Sequence, residues 1–101
     1  MAQPKIPIPA SQIADFCRRN QIRQLSIFGS VLREDFRPDS DVDVLVEFEP
    51  GAQIGFMALG RMQDELSKLL QHLVDLVPKK ELKPVIREAV LSSAEVVYGS
   101  E

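Results

Sequence analysis

The sequence predicts an α/β protein of the α+β kind, a small mixed β-sheet with helices packed on it. Three observations predict it. Residues 41–48, DVDVLVEF, alternate along the chain, with Val42, Val44, Val46 and Phe48 on one face and Asp41, Asp43, Leu45 and Glu47 on the other, the pattern of a half-buried strand. Residues 54–72 carry Leu59, Met62, Leu66, Leu69 and Leu70 at helical spacing, with Asp64 and Lys68 in the favourable i, i+4 order. Residues 73–77, LVDLV, form a short apolar run closed by Pro78, as a buried strand does.

The remaining elements follow in order. Residues 1–10, with Pro4, Pro7 and Pro9, read as an extended arm, and residues 11–101 as a single domain. Ser11 is placed to cap a short helix whose stripe is Ile13, Ala14, Phe16 and Cys17 and which ends near Asn20. Residues 22–28, IRQLSIF, read as a strand broken by Gly29-Ser30, followed by one helical turn over 31–35 and a turn at 37–40. Pro50-Gly51 ends the 41–48 strand. Lys83-Pro84 opens a last helix running to about Leu91, and 95–98 read as an edge strand.

Composition narrows the functions. The chain has 101 residues, 45% hydrophobic and 27% charged, without Trp, so its core is aliphatic and its class globular. One Cys and one His exclude a disulfide scaffold and the usual zinc motifs, and fit a reducing, cytoplasmic setting. No apolar run reaches the roughly 20 residues of a membrane span. The net charge of −3 argues against direct nucleic-acid binding through bulk charge. The acids are concentrated: Asp39, Asp41, Asp43, Glu47 and Glu49 crowd together, and no Lys or Arg falls between Arg37 and Arg61.

Asp41 and Asp43 lie two residues apart on a strand, so both carboxylates project from one face. Such a pair is either a solvated strand face or a divalent-cation site, and oxygen donors without His or Cys favour magnesium. Asp75 sits in the middle of the apolar LVDLV run, where an acid is costly unless paired or coordinated. It either pairs with Lys79 or caps the following turn, or it brings a third carboxylate to the first two. Three carboxylates on two neighbouring strands can hold two magnesium ions for in-line phosphoryl transfer. Gly29-Ser30 directly follows a strand, where a phosphate can approach the glycine backbone and the serine hydroxyl can donate to it.

The order Gly29-Ser30, ten residues, Asp41, one residue, Asp43, with Arg33, Ser40 and Leu45-Val46-Glu47-Phe48 also in place, resembles the nucleotidyltransferase superfamily of the DNA polymerase β type. The resemblance covers residues 22–77 well. Within that superfamily the chain is similar to the minimal nucleotidyltransferases (MNT), small partners of HEPN-domain proteins in bacterial and archaeal toxin–antitoxin pairs. The resemblance implies the polymerase β-like fold, with Asp41, Asp43 and Asp75 as catalytic carboxylates and magnesium ligands, two Mg2+ ions, and Gly29, Ser30 and Arg33 at the nucleotide phosphates. It also implies transfer of AMP from ATP to a tyrosine of a cognate HEPN ribonuclease toxin.

The 26 residues that follow Asp75 are too few for a second domain to grip the acceptor, so a complex with the HEPN toxin is expected. Leu82, Val85, Ile86, Val90, Val96, Val97 and Tyr98 either pack in the core or supply an apolar contact. Two other readings stand beside the enzyme: a catalytically silent antitoxin that acts by binding, and a nucleotidyltransferase for a small molecule or RNA. Gly55 and Gly60 have Walker spacing, but Arg61-Met62 stands where Lys-Ser/Thr is required, so they read as small positions on a helix. His72 reads as a helix-end residue, Cys17 as core, and Lys79, Lys80 and Lys83 as a solvated turn.

Overall fold

A computed structural model describes residues 6–29 and 41–99. The described residues form helix α1 (Ala10–Arg19), strands β1 (Ile22–Phe28) and β2 (Val42–Phe48), helix α2 (Phe56–Leu70), strand β3 (Val74–Pro78), a 3-10 turn (Lys79–Glu81), helix α3 (Pro84–Ser93) and strand β4 (Glu95–Tyr98). The four strands make one mixed sheet in the order β3-β2-β1-β4. β1 runs antiparallel to both β2 and β4, whereas β2 and β3 are parallel. The helical turn expected at 31–35 and the turn at 37–40 lie outside the described residues. None of the helices among the described residues is long and apolar enough to cross a membrane.

The alternation of β2 divides the sheet into two faces. Val42, Val44 and Val46 are wholly buried and pack with Leu25 and Ile27 of β1 and Val74 of β3. Ile13, Phe16 and Cys17 of α1 and Met62, Leu66 and Leu70 of α2 complete that core. The i, i+3, i+4 spacing in each helix puts these side chains on one stripe. Arg19 joins the two helices outside the core, pairing with Asp15 and with Glu65 of α2. Ile6 is buried in the same cluster and Ile8 packs against it, so the described end of the proline-rich arm lies on the core.

The structure moves several expected boundaries. Ser11 is not the N-cap of α1; Pro9 holds that position and its carbonyl accepts from Ile13 N–H at 2.9 Å. Proline has no N–H to lose there, so the helix starts as soon as the proline run ends. α2 starts at Phe56 because Gly55 is extended, and ends at Leu70 because Gln71 adopts φ +57°. β3 is shifted by one residue: Leu73 is exposed, and Pro78 is included. Pro78 shares the parity of Val74 and Leu76, whose N–H groups face away from β2, so its missing donor leaves the ladder intact.

The second face of the sheet is not simply solvated. Leu45, expected among the polar residues of β2, is only 4% exposed, and its β1 partner Ser26 is also buried. α3, opened by Pro84 as expected, contributes no buried side chain, and its Val85 and Ile86 are exposed. Two helices, not three, therefore build the core of the described residues.

Candidate active site

Sheet register brings the acids together. Asp43, the second residue of β2, is the direct partner of Asp75 on parallel β3 and of Phe28 on antiparallel β1. Adjacent strands run about 4.8 Å apart, and paired residues share a face. Val42 and Val74 point into the helix-covered core, so Asp43 and Asp75 project from the opposite face. Asp41 immediately precedes β2 and is exposed, two residues before Asp43. Asp43 is half-buried and Asp75 exposed. Asp75 forms no ion pair with Lys79, which pairs instead with Glu47 at 3.6 Å, four residues beyond Asp43 on the same face of β2.

Gly29 closes β1 beside this pair. Its φ of +81° is a left-handed conformation that L side chains rarely adopt. A Cβ added there would lie 2.3 Å from Oδ2 of Asp43 and 3.2 Å from its Cγ. The Asp43 carboxylate thus occupies the space that glycine leaves open. Ser30 and Arg33, the other expected nucleotide contacts, lie outside the described residues.

The donor set suits a hard divalent cation. Asp41, Asp43 and Asp75 offer only carboxylate oxygens, which fits magnesium better than zinc. Among the described residues no three His, Cys, Asp or Glu side chains are already gathered at metal-binding distance. The backbone sets Asp43 and Asp75 abreast, and their carboxylates, with that of Asp41, have to turn inward to share an ion.

The other singled-out residues lie elsewhere. His72 sits at the end of α2, where its Nδ1–H donates to the Leu70 carbonyl at 3.0 Å. Cys17 is fully buried, and desolvation raises its thiol pKa to about 12, with Arg18 partly offsetting the rise. A cavity of about 440 Å3 opens at the far end of β2, among Phe48, Ile54, Leu59, Pro78, Lys80 and Arg87. Its lining reaches Val46 of β2, three residues from Asp43, roughly 10 Å along the strand. Two polar residues of α2, Gln63 and Ser67, escaped the sequence reading although they contact β3. Their only signal was polarity beside Met62 and Leu66 on the packed side of an amphipathic helix.

Comparison with known proteins shows the family. The family model described as "Nucleotidyltransferase domain" matches residues 10–97. A relative from Thermococcus cleftensis, named protein adenylyltransferase MntA, is 40% identical over 77 residues, covering 76% of this chain and 74% of its own. In fold, the chain is similar to a toxin–antitoxin crystal structure with AMP-PNP (TM-score 0.74, 21% identity, 92% of this chain and 75% of that one). It is also similar to a chain in the structure of a tri-AMPylated Shewanella oneidensis HEPN toxin in complex with its MNT antitoxin (TM-score 0.66, 22% identity, 90% and 70% covered). The match runs through α1, all four strands and the paired acids between them, and the chain belongs to the nucleotidyltransferase domain family, as a nucleotidyltransferase.

Proposed function

We propose that this protein transfers AMP from ATP, with magnesium, to a tyrosine hydroxyl of a cognate HEPN toxin in the cytoplasm, and so acts as its antitoxin. The observation that carries the reading is the Asp43–Asp75 pair, set abreast on the open face with Gly29 leaving room for the Asp43 carboxylate. The name of the Thermococcus relative and the toxin–antitoxin complexes of similar fold support the acceptor class.

Asp41, Asp43 and Asp75 would hold magnesium, as two ions, and Gly29, Ser30 and Arg33 would meet the triphosphate. Bound magnesium supplies charge neutralisation at the phosphates and lowers the pKa of an adjacent hydroxyl. In the reaction, the acceptor oxygen forms a bond to the α-phosphorus while the bond to the β-phosphate oxygen breaks, releasing pyrophosphate. Asp75 is the outermost and most accessible of the paired carboxylates. It orients the acceptor hydroxyl and takes its proton. Because the backbone of the pair is fixed by the sheet, the chain's contribution is chiefly positioning.

Pyrophosphate release tests the reading, with purified chain, ATP, magnesium and the HEPN protein proposed as its partner. Release that needs the HEPN protein and is lost in the Asp41→Ala/Asp43→Ala variant is expected. A complex of the two proteins without release would leave an antitoxin that acts by binding alone.

A further inference from the structure

Among the described residues β3 is an edge strand, and its outer side carries N–H groups that no described strand takes. In a parallel ladder successive residues direct their N–H groups to alternate sides. The Leu73 carbonyl faces β2, accepting from Val42 N–H at 2.8 Å, so the N–H groups of Val74 and Leu76 face outward. Both are met by side chains of α2. Val74 N–H donates to Ser67 Oγ at 3.0 Å, and Leu76 N–H donates to Gln63 Oε1 at 3.0 Å. Ser67 is itself held, its hydroxyl donating to the Gln63 carbonyl at 2.8 Å. Gln63 and Ser67 are one helical turn apart and therefore on one side of α2. Their two acceptors grip β3 one residue before and one residue after Asp75.

We infer that Gln63 and Ser67 are positioning residues for the carboxylate site: they clamp the backbone on both sides of Asp75 and hold its side chain level with Asp43. This inference rests on the reading of Asp75 as a metal ligand. A plain edge cover would serve equally well anywhere along a strand. Here the two bonds fall on the residues flanking the one acid of β3, which is joined to the sheet by β2 alone. Without them, the edge strand can shift relative to Asp43 while the core face, built on Val74, still holds it in the fold.

Mn2+ affinity in the presence of a non-hydrolysable ATP analogue, followed by the electron paramagnetic resonance of free Mn2+, tests the clamp on the full chain. Residues that orient metal ligands typically change affinity by about tenfold or more when removed. Gln63→Leu and Ser67→Ala are each expected to weaken Mn2+ binding several-fold, and the double variant by about tenfold or more. Gln63→Glu and Ser67→Thr, which keep the acceptor oxygens, are expected to bind Mn2+ close to wild type. Glu65→Ala, which removes an ion pair from the same helix, serves as the control for general loosening and is expected to leave the affinity unchanged. Wild-type affinity in both deletion variants, whether or not their melting temperatures fall, would overturn the clamp. If the double variant does not fold, the single variants decide by the same reading. A wild-type chain that binds no Mn2+ overturns the metal-site reading itself.

Discussion

Gly29 and Asp43 share one space: a Cβ on Gly29 would stand 2.3 Å from the Asp43 carboxylate oxygen, closer than any real contact. Gly29→Ala therefore has two penalties, the clash and a left-handed φ of +81° that costs an L-residue roughly 1–2 kcal/mol. The relief available is a turn of the Asp43 side chain away from Gly29, out of the position it holds beside Asp75. Misplacement of a reacting group by about 1 Å lowers rates by about a hundredfold. The expected outcome is a folded variant, by circular dichroism, with AMP transfer reduced on that scale. Unimpaired transfer would show that the room beside Gly29 does not matter.

Asp75→Asn separates chemistry from stability. The Asp75 side chain is exposed and, among the described residues, bonded to none, and it faces another acid across the ladder. Removing its charge is expected to leave the melting temperature unchanged or slightly raised, since surface changes stay within about 0.5 kcal/mol. Transfer should fall by about a hundredfold or more, the range of a lost proton acceptor. Steady-state rates beside thermal melts check both halves.

Cation removal should leave the fold intact and abolish transfer. The core is built from apolar side chains on the other face of the sheet, so a chelator is expected to leave the melting temperature of the free chain unchanged. Magnesium with an ATP analogue should raise it by mass action. The rise should vanish in the Asp41→Ala/Asp43→Ala variant, and differential scanning fluorimetry measures all three states.

Cys17 gives the fold a pH signature. Burial raises its pKa from 9.0 to about 12, so the thiol stays protonated in the folded chain while the unfolded chain ionises first. Its contribution is complete below pH 9.0 and is lost as pH rises toward about 12. Stability measured by denaturant melts should fall over that window, less steeply in Cys17→Ala. Thiol reagents at neutral pH should react with the native chain only as it opens.

Much of this arrangement is legible in the sequence, and the exceptions have physical causes. The alternation of Val42, Val44 and Val46 predicts β2 and its core face, whereas the apolar run around Asp75 suggests a buried acid and the structure leaves its side chain exposed. The exact pairing of Asp43 with Asp75 is not legible, because register depends on how β3 returns after α2. The alternation sets Leu45 among the polar residues of β2 because it describes one strand, whereas its burial comes from neighbours across the sheet. Ser11 looked like a cap because capping residues are read locally, and Pro9 had already fixed the start of α1. Gln63 and Ser67 were missed for a similar reason: their partners, the N–H groups of Leu76 and Val74, lie 13 and 7 residues away and belong to the backbone, which carries no sequence signal.

The central claim is transfer of AMP to the partner protein through the carboxylate face. Intact-mass spectrometry of the HEPN protein proposed as its partner, after incubation with this chain, ATP and magnesium, tests it most directly. The predicted result is a series of whole AMP additions to the HEPN protein, absent with the Asp41→Ala/Asp43→Ala variant. A HEPN protein of unchanged mass, bound tightly by a chain that is folded and loaded with ATP and magnesium, would contradict it.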